Sequence, residues 1–289
     1  MILVVDSGST KTAWCFISPE NKTEIITTSG INPYFRTSED ILEVLNSELK
    51  PNIFGKVKNI FFYGAGIIND EVGSAVKNAL SVLFPESAVE MHSDLLAAAR
   101  AVLHKKRGIV CILGTGSNSC LYDGEKIIEH VPPLGFILGD EGSGAVLGKK
   151  LLADYLKGKM PKNIAVRFKQ EFPFQYADYL QKVYKQNQPN RFLASLVPFI
   201  RENICEEYCR TLCETSFSEF IERNILQYSN CLNEQVCFVG STAFYFSDIL
   251  TEVLKNKGLN MGIILKDPVD GLIKYHSDLL FNYVLNYDL

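Results

Sequence analysis

The sequence predicts an α/β protein made of two similar halves. Each half opens with an apolar strand, a turn rich in glycine and hydroxyl residues, and a second apolar strand, a pattern that predicts a β-hairpin. The two turns lie in Asp6–Thr12 and Gly114–Ser119. Strands and helices then alternate in the same order after each hairpin. The chain has 289 residues, which is enough for two domains of ordinary size.

The first half is predicted to contain three strands followed by alternating helices and strands. The strands are expected at 2–6, 12–17, 23–28, 60–63 and 89–91, and the helices at 38–49, 69–83 and 94–103. Glu39 and Asp40 fall in the first turn of the helix that begins at Ser38, where acidic residues are favoured. The polar segment Lys105–Gly108 then predicts a boundary between a domain of residues 1–107 and one of residues 108–289.

The second half repeats the pattern around a helical insertion. Strands are expected at 109–113, 118–122, 125–130, 236–239 and 261–264, helices at 143–157, 247–256 and 269–282, and a mostly helical insertion at about 161–230. Two copies of one unit form a cleft between them, and such clefts are common ligand sites.

Composition excludes several classes of function. The net charge is −4 and there is no long run of Lys or Arg, which argues against a nucleic-acid partner. No apolar stretch is long enough to span a bilayer, and Met1 leads directly into a strand without a signal-peptide pattern, so we expect no membrane association.

The eight cysteines include no C-x-x-C pair. Cys205, Cys209 and Cys213 are spaced to share one helical face, which is compatible with a metal or cluster site or with small apolar residues packed in a core. The second interpretation is favoured because no His or further Cys lies at ligand spacing. Free thiols and the missing leader predict a cytoplasmic protein.

Both glycine turns are suited to binding phosphate. Glycine lets the backbone approach a ligand, hydroxyls add donors, and exposed backbone N–H groups form a concavity for anions. Asp6, at the end of the first strand, would hold Mg²⁺ or cap the turn. Thr10 and Lys11 would contact phosphate oxygens, although Lys11 also suits a solvated turn.

Beyond the first phosphate loop, five segments carry a family resemblance: Gly30–Asn32, Asp94–Ala98, Gly114–Asn118, Gly139–Ser143 and Phe238–Ala243. Together with that loop they resemble the sugar kinase, actin and heat-shock ATPase superfamily. Within it the chain resembles the BadF/BadG/BcrA/BcrD-type ATPase family, and most closely its N-acetylglucosamine kinase branch. The resemblance implies two ribonuclease-H-like domains with a central nucleotide cleft.

The resemblance also implies roles for individual residues. Asp94 would be the general base, although an aspartate there also suits a helix N-cap. Phosphate and nucleotide contacts would come from Gly8, Ser9, Thr10, Lys11, Gly114, Thr115, Gly116, Gly240 and Ala243. The sugar would contact Asn32, Ser117, Asn118, Phe136 and Asp140. Asn32 also suits a plain turn and Asp140 a plain N-cap.

Two departures from the family pattern stand out. Ser7 and Ser9 replace glycines of the first loop, and Leu134-Gly135-Phe136 replaces a Gly-Trp-Gly segment. Phe136 still offers an aromatic ring to a sugar face.

The sequence therefore predicts an ATP- and Mg²⁺-dependent kinase for an amino sugar or N-acetyl sugar, compatible with a homodimer. The alternatives are an ATPase that activates another enzyme through a [4Fe–4S] cluster, and a nucleotide sensor without turnover. No glycine-rich cysteine pair suits such a cluster, and the presence of Asp94 and Asp140 argues against a mere sensor.

Overall fold

A computed structural model describes residues 1–8, 11–33, 36–53, 55–67 and 70–285. The chain forms two compact units. One contains Met1–Lys105 together with the chain from Pro268 onward, and the other contains Lys106–Asp267. The C-terminal helix therefore belongs to the first unit, whereas the predicted boundary placed it in the second domain.

The first unit contains a five-stranded mixed sheet in the order β3-β2-β1-β4-β5. Its strands are β1 (Ile2–Ser7), β2 (Lys11–Ile17), β3 (Thr23–Ser29), β4 (Asn59–Gly64) and β5 (Ala88–Ser93). β1 and β2 are antiparallel, as the predicted hairpin requires, and β4 and β5 run parallel to β1. The carboxyl ends of β1, β4 and β5 therefore meet at one edge.

In the described residues, four α-helices accompany this sheet: α1 (Ser38–Val44), α2 (Asp70–Leu83), α3 (Asp94–Leu103) and α13 (Val269–Leu285). The predicted helix 38–49 is α-helical only in its first part and continues as a π-helical turn over Leu45–Leu49. One face of the sheet packs into a core that includes Trp14, Phe16 and Phe62. The Trp14 indole N–H donates to Thr28 Oγ1 at 2.9 Å, so this buried polar atom is satisfied.

The second unit repeats the arrangement. Its sheet has the order β10-β9-β6-β7-β8, which is the order of the first sheet read in reverse with equivalent strands. The strands are β6 (Gly108–Leu113), β7 (Ser117–Tyr122), β8 (Ile127–Val131), β9 (Gln235–Val239) and β10 (Asn260–Leu265). β6 and β7 form the second hairpin, and β9 and β10 follow in parallel. The predicted fold class, two related α/β units, is confirmed.

Helices of the second unit enclose its larger core. They are α4 (Gly135–Leu138), α5 (Gly144–Leu156), α6 (Lys162–Glu171), α7 (Tyr176–Tyr184), α8 (Pro189–Ala194), α9 (Val197–Glu202), α10 (Glu207–Arg223), α11 (Ser241–Tyr245) and α12 (Ser247–Asn256). Cys209 and Cys213 of α10 are buried in this core, as the packing interpretation requires. Cys205 is exposed and precedes α10, so the prediction of one shared helical face is wrong for that residue. Among the described residues, no helix combines the length and apolarity needed to cross a membrane.

Candidate active site

The first hairpin holds the segment that carries Asn32. The Ser7 and Thr12 hydroxyls lie opposite each other, 2.7 Å apart, and both are buried. Ser7 Oγ donates to the carbonyl of Ile31 at 2.7 Å, and the N–H of Ile31 points at Ser7 Oγ and Thr12 Oγ1. Asn32 is buried beside this network. Two segments that the sequence proposed separately, the first loop and Gly30–Asn32, are thus joined.

The carboxyl edge of the first sheet carries both acidic residues predicted for this half. Asp6 pairs in register with Tyr63 of β4, which pairs with His92 of β5. Asp94 follows two residues after His92, at the start of α3. Since neighbouring strands lie about 4.8 Å apart, the backbones of Asp6 and His92 are separated by about two strand spacings, and Asp94 lies two residues beyond His92 on the same edge.

Asp94 does not cap its helix. Ser93 is the N-cap, and its hydroxyl accepts the Leu96 N–H at 3.2 Å, so Asp94 is the first helical residue. Burial raises the pKa of the Asp94 carboxyl to about 6, and the hydrogen bond from the Leu95 N–H opposes this shift. A carboxylate with such a pKa is well suited to accept a proton near neutral pH.

The second glycine turn is fixed by helix α5 and by Thr242. The carbonyl of Gly114 accepts the Gly144 N–H at 2.8 Å and the Thr242 hydroxyl at 3.0 Å, and the carbonyl of Thr115 accepts the Ala145 N–H at 3.0 Å. The loop carbonyls are therefore turned toward α5, and the Thr115 side chain is exposed.

Asp140 lies against this turn. Its Oδ1 accepts the Ser117 N–H at 3.2 Å, and a side chain at Gly116 would approach Oδ2 to 3.1 Å. Ser143, and not Asp140, is the N-cap of α5. Burial raises the pKa of Asp140 to about 6 against the effect of the Ser117 hydrogen bond. The fold thus brings Gly116, Ser117 and Asp140 together.

Glu141, beside Asp140, points away into an ion pair. Its Oε1 lies 2.7 Å from a guanidinium nitrogen of Arg223 on α10. This contact ties the loop before α5 to the helical insertion.

Gly240 and Ala243 lie at the start of α11 with different surroundings. A side chain on Gly240 would come within 2.3 Å of the Leu113 carbonyl, so its missing side chain serves packing against β6. Ala243 is fully buried in the core. Their predicted role toward adenine is not tested by these contacts and stays a prediction.

A cavity of about 190 Å³ opens between the second glycine turn, α9 and α11. Tyr245 and Arg201 line it, and the Arg201 guanidinium lies 4.0 Å from the centre of the Tyr245 ring. Lys266 lies on the same ring at 5.3 Å, and its hydrogen bond and charge lower the pKa of Tyr245. A larger cavity of about 560 Å³, between α5, α6 and α10, contains none of the predicted site residues.

The remaining predicted site residues differ in how far their side chains are exposed. Gly8 closes the first turn by donating its N–H to the Lys11 carbonyl at 3.0 Å, and the Lys11 side chain is exposed. Ser9 and Thr10 lie outside the described residues. Phe136 is partly buried and packs against the core, whereas Leu134 and Ile137 beside it are exposed. Asn118 is partly exposed and bonded to His130.

Several participants were given no role from the sequence. Ser7 and Thr12 occur in the first motif, and their places in two buried strands could have indicated hydroxyls held by hydrogen bonds. Arg201 and Tyr245 lie in no motif, because only the packing of α9 against α11 brings them together.

Comparisons with known proteins point to the same class of enzyme. The chain is 42% identical to a Porphyromonas gingivalis protein of solved structure provisionally named an N-acetylglucosamine kinase. That match covers 96% of this chain and 99% of the other, with a TM-score of 0.92. A similarly named Chromobacterium violaceum structure shares the fold at 15% identity and a TM-score of 0.74, over 95% of this chain and 99% of the other.

The curated N-acetyl-D-glucosamine kinase of Dictyostelium discoideum is 26% identical over 171 residues. This alignment covers 54% of each chain, about half the length of the curated relative. No family model matches the chain.

The repeated α/β unit with its paired glycine turns is the fold of the Porphyromonas and Chromobacterium structures, both of which carry the names of sugar kinases. The chain belongs to the N-acetylglucosamine kinase family, as its 42% identity across nearly the whole length of the Porphyromonas protein shows.

Proposed function

We propose that this protein transfers the γ-phosphoryl group of ATP to a hydroxyl of an amino sugar or N-acetyl sugar. The observation that carries the proposal is that each unit holds an aspartate at the side of its sheet where the glycine turn lies. Asp94 opens α3 directly after β5, at the carboxyl edge that β1 shares, and Asp140 lies against the turn at Gly116 and Ser117. Neither carboxyl group is used as the helix cap. The names of the related proteins support the same substrate class.

Asp94 serves as the general base in this proposal. A sugar hydroxyl oxygen attacks the γ-phosphorus as its proton passes to the Asp94 carboxylate. The new O–P bond forms while the bond from the γ-phosphorus to the oxygen of ADP breaks. The charge that develops on the phosphoryl oxygens is met by backbone N–H groups of the glycine turns and by Lys11.

Asp140 and Asn32 recognise the sugar. A carboxylate accepts hydrogen bonds from two neighbouring hydroxyls, and Asp140 keeps one oxygen engaged with the Ser117 N–H. Asn32 is held in place through Ile31 by the Ser7 and Thr12 hydroxyls.

Mg²⁺ fits the acidic edge of the first sheet. Mg²⁺ is commonly held by one or two carboxylates, and Asp6 is the penultimate residue of β1, beside the first phosphate turn. Bound with ATP, the ion would neutralise charge on the phosphate groups. Asp6 would hold it directly or through water.

The nucleotide base is assigned to the cavity lined by Arg201 and Tyr245. The cavity adjoins Gly114 and Thr115, so a base bound there would extend its phosphates toward the second turn. A guanidinium stacked on a tyrosine ring offers a flat polar surface for a heterocycle.

The test measures ADP release in a coupled assay, with and without a panel of hexoses, amino hexoses and N-acetyl hexoses. Release that depends on an amino or N-acetyl sugar supports the kinase. Equal release without sugar would indicate an ATPase, and tight ATP binding without release would indicate a sensor. Either result would overturn the proposal.

A further inference from the structure

The orientation of the Asn118 side-chain amide is fixed by its neighbours. Its Oδ1 lies 2.9 Å from the Ser119 backbone nitrogen and 2.9 Å from Nε2 of His130. Amide oxygen and nitrogen are otherwise hard to distinguish, but a backbone N–H can only donate. The atom that faces Ser119 is therefore the oxygen.

This assignment determines the state of His130. Because Oδ1 can only accept, Nε2 of His130 must carry a proton and donate it. Burial lowers the pKa of His130 below its ordinary value, so the ring is neutral near pH 7 and is the Nε2–H tautomer. Oδ1 of Asn118 thus accepts two hydrogen bonds, one from the Ser119 N–H and one from His130 Nε2.

The Asn118 nitrogen is left for another partner. In the described part of the chain, Nδ2 contacts no acceptor, and the side chain is partly exposed. Asn118 therefore presents two N–H donors in a fixed direction to whatever binds next to it.

The end of the β7–β8 pair is braced by a second side chain. The Tyr228 hydroxyl lies 2.7 Å from Ser119 Oγ and accepts the Val131 N–H at 3.1 Å. The backbone N–H groups of Ser119 and Val131 are thus both bonded to side chains. The bracing fixes the backbone on either side of the contact between Asn118 and His130.

We propose that His130 is a positioning residue that holds the Asn118 amide so that Nδ2 donates to an oxygen of the sugar substrate. The inference rests on the proposed function. The sugar is chosen over phosphate because Asn118 follows Ser117, whose N–H binds Asp140, and lies beyond the glycine turn. A donor amide one residue along the strand from the N–H that holds an accepting carboxylate matches a sugar, which offers both acceptor oxygens and O–H donors.

The test compares His130→Leu with His130→Gln in the full-length enzyme, using the best sugar found in the coupled assay. His130→Leu should raise the sugar KM about 3- to 10-fold, the effect of one lost hydrogen bond, with kcat and the ATP KM within about 2-fold. His130→Gln should restore the sugar KM because its amide nitrogen reaches the place of Nε2. Ile128→Ala, an exposed change on the same strand, serves as the control.

Two further measurements distinguish loss of the Asn118 amide orientation from a general loss of structure in the variant. His130→Leu and Asn118→Ala should be non-additive in sugar KM, since both remove the same contact. Nitrogen-15 NMR of the His130 ring should show the proton on Nε2 in the enzyme without substrate.

Distinct results would overturn the inference. An unchanged sugar KM in an active His130→Leu enzyme, no rescue by glutamine, a shift in ATP KM instead, or an Nδ1–H ring would each do so. A wild-type enzyme that phosphorylates no sugar would overturn the proposed function, and the inference with it.

Discussion

Neither Asp94 nor Asp140 caps the helix that follows it, because a neighbouring serine does so. Aspartate at a helix start commonly caps the helix, yet here Ser93 and Ser143 supply the caps. Burial raises the pKa of both carboxyl groups to about 6. A raised pKa indicates that the ionised form is less stable in the folded protein than in water, which is common at functional sites.

Asp94→Asn should lower kcat by about 10²- to 10⁴-fold, because the amide cannot accept the hydroxyl proton. In the wild type, kcat/KM should fall as the pH drops below about 6, since the base must be ionised to act. A pH profile of both enzymes checks this. Glu90→Gln, a more exposed carboxylate on β5, is the control. An Asp94→Asn enzyme that keeps wild-type kcat would remove Asp94 as the base.

Asp140→Asn should stabilise the protein at pH 8 while raising the sugar KM. The unfolded pKa is about 3.9, so the folded carboxyl binds its proton more tightly, and the contribution of Asp140 to the free energy of unfolding falls as the pH rises from about 4 to about 6. Asparagine avoids this loss and still accepts the Ser117 N–H.

The gain for Asp140→Asn, on the order of 1–3 kcal/mol, should therefore be present at pH 8 and absent near pH 4. Urea denaturation at both pH values measures it. If the two proteins differ in free energy of unfolding by the same amount at both pH values, ionisation of Asp140 is not the cause.

At the scale of elements, the strand-to-helix junction before α11 depends on one backbone conformation. Gly240 has φ 127° and ψ 156°, a region that is essentially restricted to glycine. A side chain there would also meet the Leu113 carbonyl at 2.3 Å. The junction and the second glycine turn therefore hold each other in place.

Backbone strain alone costs about 1–3 kcal/mol. Gly240→Ala should destabilise the second unit by more than this, because the new side chain also clashes with the Leu113 carbonyl. Gly258→Ala is the matched control, because that glycine has φ 72° but open space around it. Thermal melting of both variants gives the comparison. Equal losses would show that conformational strain alone decides the effect.

Helix α13 is joined to the first unit by a buried polar chain. Arg100 donates to the Tyr63 hydroxyl at 2.7 Å, so that hydroxyl directs its own proton to Nε2 of His276, 2.8 Å away. Burial, and then the Arg100 charge, lower the pKa of His276 to about 3. The imidazole is therefore neutral in the folded protein.

The contribution of His276 to wild-type stability should fall as the pH drops from about 6.5 toward 3, because His276 gains a proton only in the unfolded chain over that range. His276→Gln should flatten this dependence, since its amide oxygen can accept from Tyr63. Denaturation midpoints at pH 7 and pH 5 measure the slope, with the exposed and non-titrating change Ile128→Ala as the control. An unchanged slope in His276→Gln would exclude His276 as its source.

For the whole molecule, local sequence patterns predicted the repeated unit, but they did not predict that the C-terminal helix returns to the first unit. Two apolar hairpins with glycine turns were enough to predict two units in which strands and helices follow in the same order along the chain. The position of α13 could not be predicted, because its partners Tyr63 and Arg100 lie far away in the sequence. Of the site, the glycine turns and aspartates could be recognised as motifs, whereas the contacts of Arg201 with Tyr245 and of His130 with Asn118 arise only on folding.

The two units should differ in their ability to fold alone. Residues 106–267 form the second unit as one continuous segment, with a complete five-stranded sheet and its own core. Residues 1–105 lack α13, whose Leu272 and His276 are buried. Gly271 packs so closely on α3 that a side chain there would meet the Ala101 carbonyl at 2.5 Å.

We therefore expect the 106–267 fragment to unfold cooperatively on its own, and the 1–105 fragment to lack a cooperative transition. Adding a peptide of residues 268–285 should restore that transition to the 1–105 fragment, because binding to the folded form stabilises it. Circular dichroism during urea titration provides the readout, and the same peptide carrying His276→Ala is the control. A 1–105 fragment that unfolds cooperatively without the peptide would show that α13 is an accessory to the first unit and not part of its core.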